Sequence, residues 1–136
     1  MNARVSMARI EHVALWTADI ERCKAFYMLY FGASAGVHYR NAAKGFESCF
    51  LDLGGGARLE LMTSTTLEPL RIARGAQRMG LTHVALSLGS PARVDELTQR
   101  LRDDGYDVLD GPRRTGDGYY ESVVLDPDGN RVELTA

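Results

Sequence analysis

The chain is poor in cysteine and in charge of any one sign, and it has no long apolar run. Of its 136 residues only two are cysteine, Cys23 and Cys49, far apart and with no CxxC spacing. That excludes a disulfide framework, and both thiols are expected to be reduced core residues of a cytoplasmic protein. Sixteen Lys and Arg stand against eighteen Asp and Glu, for a net charge of −2 and a pI near 5.9. Such a balance leaves no basic footprint for nucleic acid or for an anionic membrane surface. No stretch approaches the roughly 20 apolar residues of a membrane span, and Met1–Arg9 has neither a signal core nor transit-peptide character. The remaining class is a soluble single domain of ordinary composition, long enough to bury its own core.

Within that ordinary composition the sequence repeats itself. Ile10-Glu11-His12-Val13-Ala14-Leu15 returns as Leu81-Thr82-His83-Val84-Ala85-Leu86, offset by 71 positions. Phe46–Asp52 returns as Tyr120–Asp126 at offset 74, and Arg58-Leu59-Glu60-Leu61 as Arg131-Val132-Glu133-Leu134 at offset 73. Each half carries elements in the same order. Arg9–Trp16 and Gly80–Leu88 are β-branched and apolar enough to be strands. Asp19 and Ser90 stand where helix caps are needed, Pro91 falls at a first helical position, and Gly32 and Gly105 provide stops. Three strands follow each helix: Ala35–Asn41, Phe46–Leu53 and Ala57–Thr63 in the first half, then Tyr106–Arg113, Tyr119–Asp126 and Asn130–Thr135 in the second. Gly54-Gly55-Gly56 and Asp126-Pro127-Asp128-Gly129 supply hairpin turns. The reading is an α+β domain of two βαβββ repeats, about 9–64 and 80–136, whose mixed sheets curl into a cup, with residues 65–79 as a linker.

Strand alternation then sorts the side chains. Val13 and Leu15 share one face and His12, Ala14 and Trp16 the other; Val84 and Leu86 likewise oppose His83 and Ala85. Leu59 and Leu61 oppose Arg58, Glu60 and Met62, and Val132 and Leu134 oppose Arg131, Glu133 and Thr135. The aliphatic faces suit helix packing, and a slip of one residue would bury an ionisable group there, so the register is well specified. If the repeats pack about a pseudo-twofold axis, His12, Glu60, His83 and Glu133 converge. Two imidazoles and two carboxylates suit one divalent metal per site, Zn or Ni foremost, with Fe, Mn or Co as alternatives, and leave positions open for substrate. A lone strand histidine is more often structural than ligating, and His38, with no repeat partner, is read that way. The recurrence of the same types at equivalent places separates His12 and His83 from it. Arg58 and Arg131 share faces with the ligand carboxylates and could hold an anionic substrate group or balance ligand charge. Trp16 and Met62 lie on the same faces, and Glu121, on one strand face with Tyr119, lines the cup or meets solvent. Exposed strand edges favour association, and a twofold homodimer is the expected assembly, with cups built within one chain or between two.

The paired IEHVALW and LTHVALS strands, the LDPDGNRVEL ending and the βαβββ repeat resemble the vicinal oxygen chelate superfamily over essentially Arg9–Ala136. That group includes glyoxalase I, bleomycin-binding proteins, fosfomycin-resistance transferases and extradiol dioxygenases. The His-Glu-His-Glu set is most similar to glyoxalase I. The resemblance implies a metal-dependent lyase or isomerase acting on a small vicinally oxygenated substrate through a metal-stabilised enediolate. Glu133 or Glu60 would take and return the proton. Where bacterial glyoxalase I usually has an arginine, four residues after the first ligand histidine, this chain has Trp16, and Met62-Thr63-Ser64-Thr65 stands where a glutathione-contacting asparagine is expected. Glutathione is therefore not expected to be the thiol partner. The competing readings are a metal-dependent dioxygenase or antibiotic-resistance transferase, and a metal-free drug-binding protein of the same fold.

Overall fold

The computed structural model describes residues 6–136, so the reading of the first residues as free of a targeting segment lies partly outside what is described. The chain divides into two compact units, one ending at Leu67 and the other spanning Glu68–Ala136. No helix of the described residues is long and apolar enough to cross a membrane.

In the first unit, β1 (His12–Trp16) leads into α1 (Ile20–Phe31), then β2 (Ser34–Ala35), β3 (Tyr39–Asn41), β4 (Phe46–Asp52) and β5 (Arg58–Ser64). The helix begins where expected, because the Asp19 carboxylate accepts a hydrogen bond from the Arg22 amide at 3.1 Å. It stops at Gly32, whose φ of 68° is left-handed. Its apolar stripe, Ile20, Cys23, Phe26, Tyr27 and Tyr30, is buried, and it packs on β4 and β5. The sheet order is β1-β5-β4-β2, with β3 also on β4, and β1 runs parallel to β5. The single strand expected over Ala35–Asn41 is instead two short pieces. At Gly36 the backbone turns in to donate to the Phe50 carbonyl at 2.9 Å, and a 3₁₀ turn over Ala42–Lys44 follows β3.

The second unit repeats the plan: β6 (Val84–Ser87), α2 (Pro91–Asp103), β7 (Val108–Arg114), β8 (Tyr120–Leu125) and β9 (Arg131–Thr135), in the order β6-β9-β8-β7 with β6 parallel to β9. Ser90 caps α2 through the Arg93 amide, and Pro91 occupies the first turn. Val94, Thr98 and Leu101 are buried on the helix, as are Val124, Val132 and Leu134 on the sheet. The Thr98 hydroxyl hydrogen bonds the buried Ser122 hydroxyl at 2.7 Å, so the one polar pair in this packing is satisfied. The strand is shorter than expected over Gly80–Leu88, and His83 falls immediately before β6 rather than inside it. Both cysteines are free and buried, as the sequence predicts.

One register differs from the sequence repeat. Phe50 pairs with Glu60 in the first unit, whereas Val123 pairs with Glu133 in the second. The structural counterpart of Ser48 is therefore Glu121, and the matching Glu-Ser dipeptides Glu47-Ser48 and Glu121-Ser122 are out of phase by one residue. Because strand faces alternate, Glu47 and Glu121 occupy opposite faces of their sheets.

The β8–β9 hairpin turns on Asp126, which is fully buried. Its carboxylate accepts from the Asp128 and Asn130 amides and from the Asn130 side chain, each at 2.9 Å. Asp126→Ala leaves these donors without their charged acceptor and is expected to cost roughly 3 kcal/mol of unfolding free energy, read by urea denaturation. A loss within the surface-substitution range of about 0.5 kcal/mol would show that the turn holds without it.

Candidate metal centre in two halves

Each unit brings one imidazole to one carboxylate. In the first, parallel pairing sets Ala14 beside Glu60 and His12 beside Arg58. His12 Nε2 then lies 3.7 Å from Glu60 Oε1, with the imidazole 39% and the carboxylate 16% exposed. In the second, Ala85 lies beside Glu133, and His83 Nε2 lies 3.1 Å from Glu133 Oε2, with exposures of 37% and 16%. The two pairs occupy the same place in the repeat. Among the described residues, no group of three or more His, Cys, Asp or Glu side chains is placed to hold a metal ion.

The ring nitrogens on the far side are also engaged. His12 Nδ1 donates to Glu11 Oε1 at 3.1 Å, and His83 Nδ1 meets the Thr82 hydroxyl at 3.0 Å. A carboxylate acceptor at Nδ1 fixes the tautomer that leaves Nε2 with a free lone pair, the usual support for a ligating imidazole. Glu11 is held in turn by Arg58; that hydrogen bond first, and His12 second, keep its carboxyl below the ordinary glutamate value. The Phe50 ring meets His12 edge-on at a centroid distance of 5.2 Å, and the Arg58 guanidinium lies 4.1 Å over the same ring. The donor types suit a divalent cation, each unit supplying one imidazole that turns Nε2 to a largely buried carboxylate.

Around Glu133 the surroundings differ. Glu121 is hydrogen bonded to Glu133, and this contact, burial and the neighbouring negative charge push its carboxyl up to about 7. Arg113 pairs across the strands with Glu121 and bonds Asp110 at 2.8 Å. β7 reaches this position through two register shifts. At Gly111, within the second of them, with φ of 80°, a Cβ would lie 2.5 Å from the Glu121 carbonyl oxygen. The residue must be glycine for the two strands to approach this closely.

The other expected site residues are distributed as follows. Trp16, on the His12 face and beside Met62 in the register, is 53% exposed. Arg58 is occupied by Glu11 and Phe50, which favours its role as a charge partner. Arg131 Nη2 donates to the Gly75 carbonyl at 2.7 Å. His38 bonds Glu47 at 3.0 Å on an exposed part of the first unit and lies just before β3, not inside a strand as expected. The sequence reading passed over Glu11, Thr82 and Phe50. The first two were visible as the residues preceding each histidine in the repeated segment.

Residues 9–134 match the family description Glyoxalase/Bleomycin resistance protein/Dioxygenase superfamily, and the chain belongs to that superfamily. An uncharacterized protein of Bacillus subtilis (strain 168), YqjT, is 30% identical over 131 residues, covering 93% of this chain and 98% of its own. Among solved structures, a glyoxylase/bleomycin resistance protein/dioxygenase domain from Frankia sp. EAN1pec superposes with a TM-score of 0.79 at 20% identity, covering 96% of this chain and 98% of that one. The trypanothione-dependent glyoxalase I of Leishmania major superposes with a TM-score of 0.73 at 21% identity, covering 94% and 86%. At these identities the likeness is one of fold, and the two mixed sheets with one helix each are its common content.

A half-exposed ion pair contributes about 0–1 kcal/mol to stability. In metal-free protein, His12→Ala and His83→Ala should each change the unfolding free energy by no more than that, measured by urea titration. A loss of several kcal/mol from either would make that imidazole part of the fold rather than part of a site.

Proposed function

We propose that this protein is a divalent-metal-dependent lyase or isomerase of the superfamily, acting on a small substrate with vicinal oxygens. The observation that carries the proposal is the repetition of one device: a His–Glu pair at the same point of each unit, with Nδ1 tied back and Nε2 turned to the carboxylate. On this reading His12, Glu60, His83 and Glu133 hold one metal, Zn or Ni foremost, and the two units with the 65–79 linker form a single domain. A bound divalent cation supplies positive charge to vicinal oxygens and to the negative charge that develops on them, worth several kcal/mol. The chain's own residues handle the proton. Glu133 accepts it at a carboxylate oxygen from the carbon beside the carbonyl, and a positioned base of this kind is worth roughly 10²–10⁴-fold. Glu121, hydrogen bonded to Glu133, orients that carboxylate; Glu60 is its repeat counterpart and the second candidate base. Trp16 and Met62 form an apolar wall for the substrate. A homodimer with two such centres is the assembly proposed, since β1 and β6 are edge strands of their sheets.

The metal reading is tested on protein stripped with chelator, by titration with Zn and Ni. One equivalent per chain should bind, in a species of twice the chain mass by light scattering. Each of Glu60→Gln and Glu133→Gln should weaken binding by at least about tenfold, given the roughly 10–100-fold typical even of residues that only support a ligand. Binding that is unchanged in both variants would overturn the ligand set. A stripped protein that takes up no metal but binds apolar drugs would favour the metal-free binding function instead.

Substrate choice is tested separately. With Trp16 in place of an arginine, the hemithioacetal of methylglyoxal and glutathione should turn over with kcat/KM below the ordinary 10⁴–10⁸ M⁻¹s⁻¹ range of efficient enzymes. Trp16→Arg should raise it. An efficient wild-type reaction would show that Trp16 does not determine thiol use.

A further inference from the structure

The second unit holds a small pocket beside the His83–Glu133 pair that includes none of the four proposed ligands. Residues before β6 lie over the start of β9 and form an open pocket of about 90 Å³, lined by Leu70, Ile72, Arg78, Leu81, Thr82 and Arg131 among others, with the three aliphatic side chains exposed. No acidic side chain lines it. Arg131 spends one nitrogen on the Gly75 carbonyl, while its Nε is buried with no hydrogen-bond partner. A buried guanidinium N–H left unpaired carries the full cost of its desolvation, which a ligand oxygen would remove. Arg78 is exposed and, among the described residues, has no carboxylate partner. Two cations without a counter-anion beside three aliphatic side chains describe a receptor for one compact anion that bears an apolar group.

We infer that this cavity binds a carboxylate, with Arg131 and Arg78 on its oxygens and Leu70, Ile72 and Leu81 against its apolar part. The planar guanidinium fork suits the two oxygens of a carboxylate, and the aliphatic lining disfavours the more strongly hydrated phosphate. Thr82 belongs both to the lining and to the hydrogen bond at His83 Nδ1, so the foothold adjoins the His83–Glu133 pair. As a binding site it stands without the metal reading. As the anchor that makes the substrate a carboxylic acid with vicinal oxygens, it rests on that reading.

The test uses the full chain, stripped of metal, and follows the arginine Nε–H signals by NMR during titration with butyrate, butyramide and inorganic phosphate. Butyrate should shift the Arg131 Nε–H signal saturably, and butyramide should not. Arg131→Lys keeps a charge but loses the fork, and should weaken butyrate binding about tenfold. Arg78→Ala lies on an exposed side chain, leaves the Gly75 contact intact, and should weaken it several-fold, as loss of a charged hydrogen bond does. An equal response to butyramide, a response to phosphate alone, no response at all, or unchanged binding in Arg78→Ala would each overturn the inference. Because no metal is present, a failure here leaves the metal centre untouched, and a failure of metal binding leaves this result standing.

Discussion

Parallel pairing of the first strand of each unit with its last is the constraint on which the rest depends. In an antiparallel hairpin, neighbours in space are near neighbours in sequence. The parallel pairs β1–β5 and β6–β9 instead join strands separated by a helix and two or more other strands. They set Ala14 against Glu60 and Ala85 against Glu133, which leaves His12 and His83 a short diagonal away. Once that register holds, alternation does the remaining work. Leu59, Leu61, Val132 and Leu134 turn to the buried side, each no more than 3% exposed. The carboxylates can only turn to the other. Shifting either pair by one residue would put a glutamate among those leucines and valines at a cost of several kcal/mol, so packing and the placement of the glutamates are fixed by one choice.

That dependence explains how much was legible in the sequence. The helices were, because Asp19, Ser90 and Pro91 are chemical starts and Gly32 a chemical stop. The histidine and glutamate pairs were, because the same residue types recur in or next to strands whose hydrophobic alternation already specifies a face. The broken strand around Gly36 was not, since its cause is the Phe50 carbonyl, a long-range partner that no local pattern reveals. The phase of β8 was misleading for a sharper reason. Glu47-Ser48 and Glu121-Ser122 look equivalent, and an alignment places them together. The hydrogen-bond ladders put Ser48, not Glu47, in the place of Glu121. Pairing is decided by the whole strand against its neighbour, and a matching dipeptide is a weak vote against a buried run such as Val123-Val124-Leu125.

The one-residue difference gives the two halves unequal chemistry. Glu60 faces Phe50 across the sheet, and its imidazole partner is braced by an aromatic ring, Glu11 and Arg58. This is a packed and charge-balanced surrounding that holds the His12–Glu60 pair in place. Glu133 faces the smaller Val123 and shares a hydrogen bond with Glu121, with Arg113 opposite. This surrounding has more carboxyl oxygen than charge balance requires. Two carboxyl groups in contact are costly unless something positive or a proton lies between them. Such an arrangement in a half-buried sheet face calls for a reason outside stability. On the proposed metal reading, retention needs only the donors that both halves supply, and a carboxyl in contact with the paired glutamate is found in one half. If the protein performs proton transfer, the unequal half is where the chemistry belongs, and the more regular one serves to hold. The repeat thus duplicates the His–Glu pair, while a one-residue change of register gives only the second copy a carboxyl like that of Glu121 beside it.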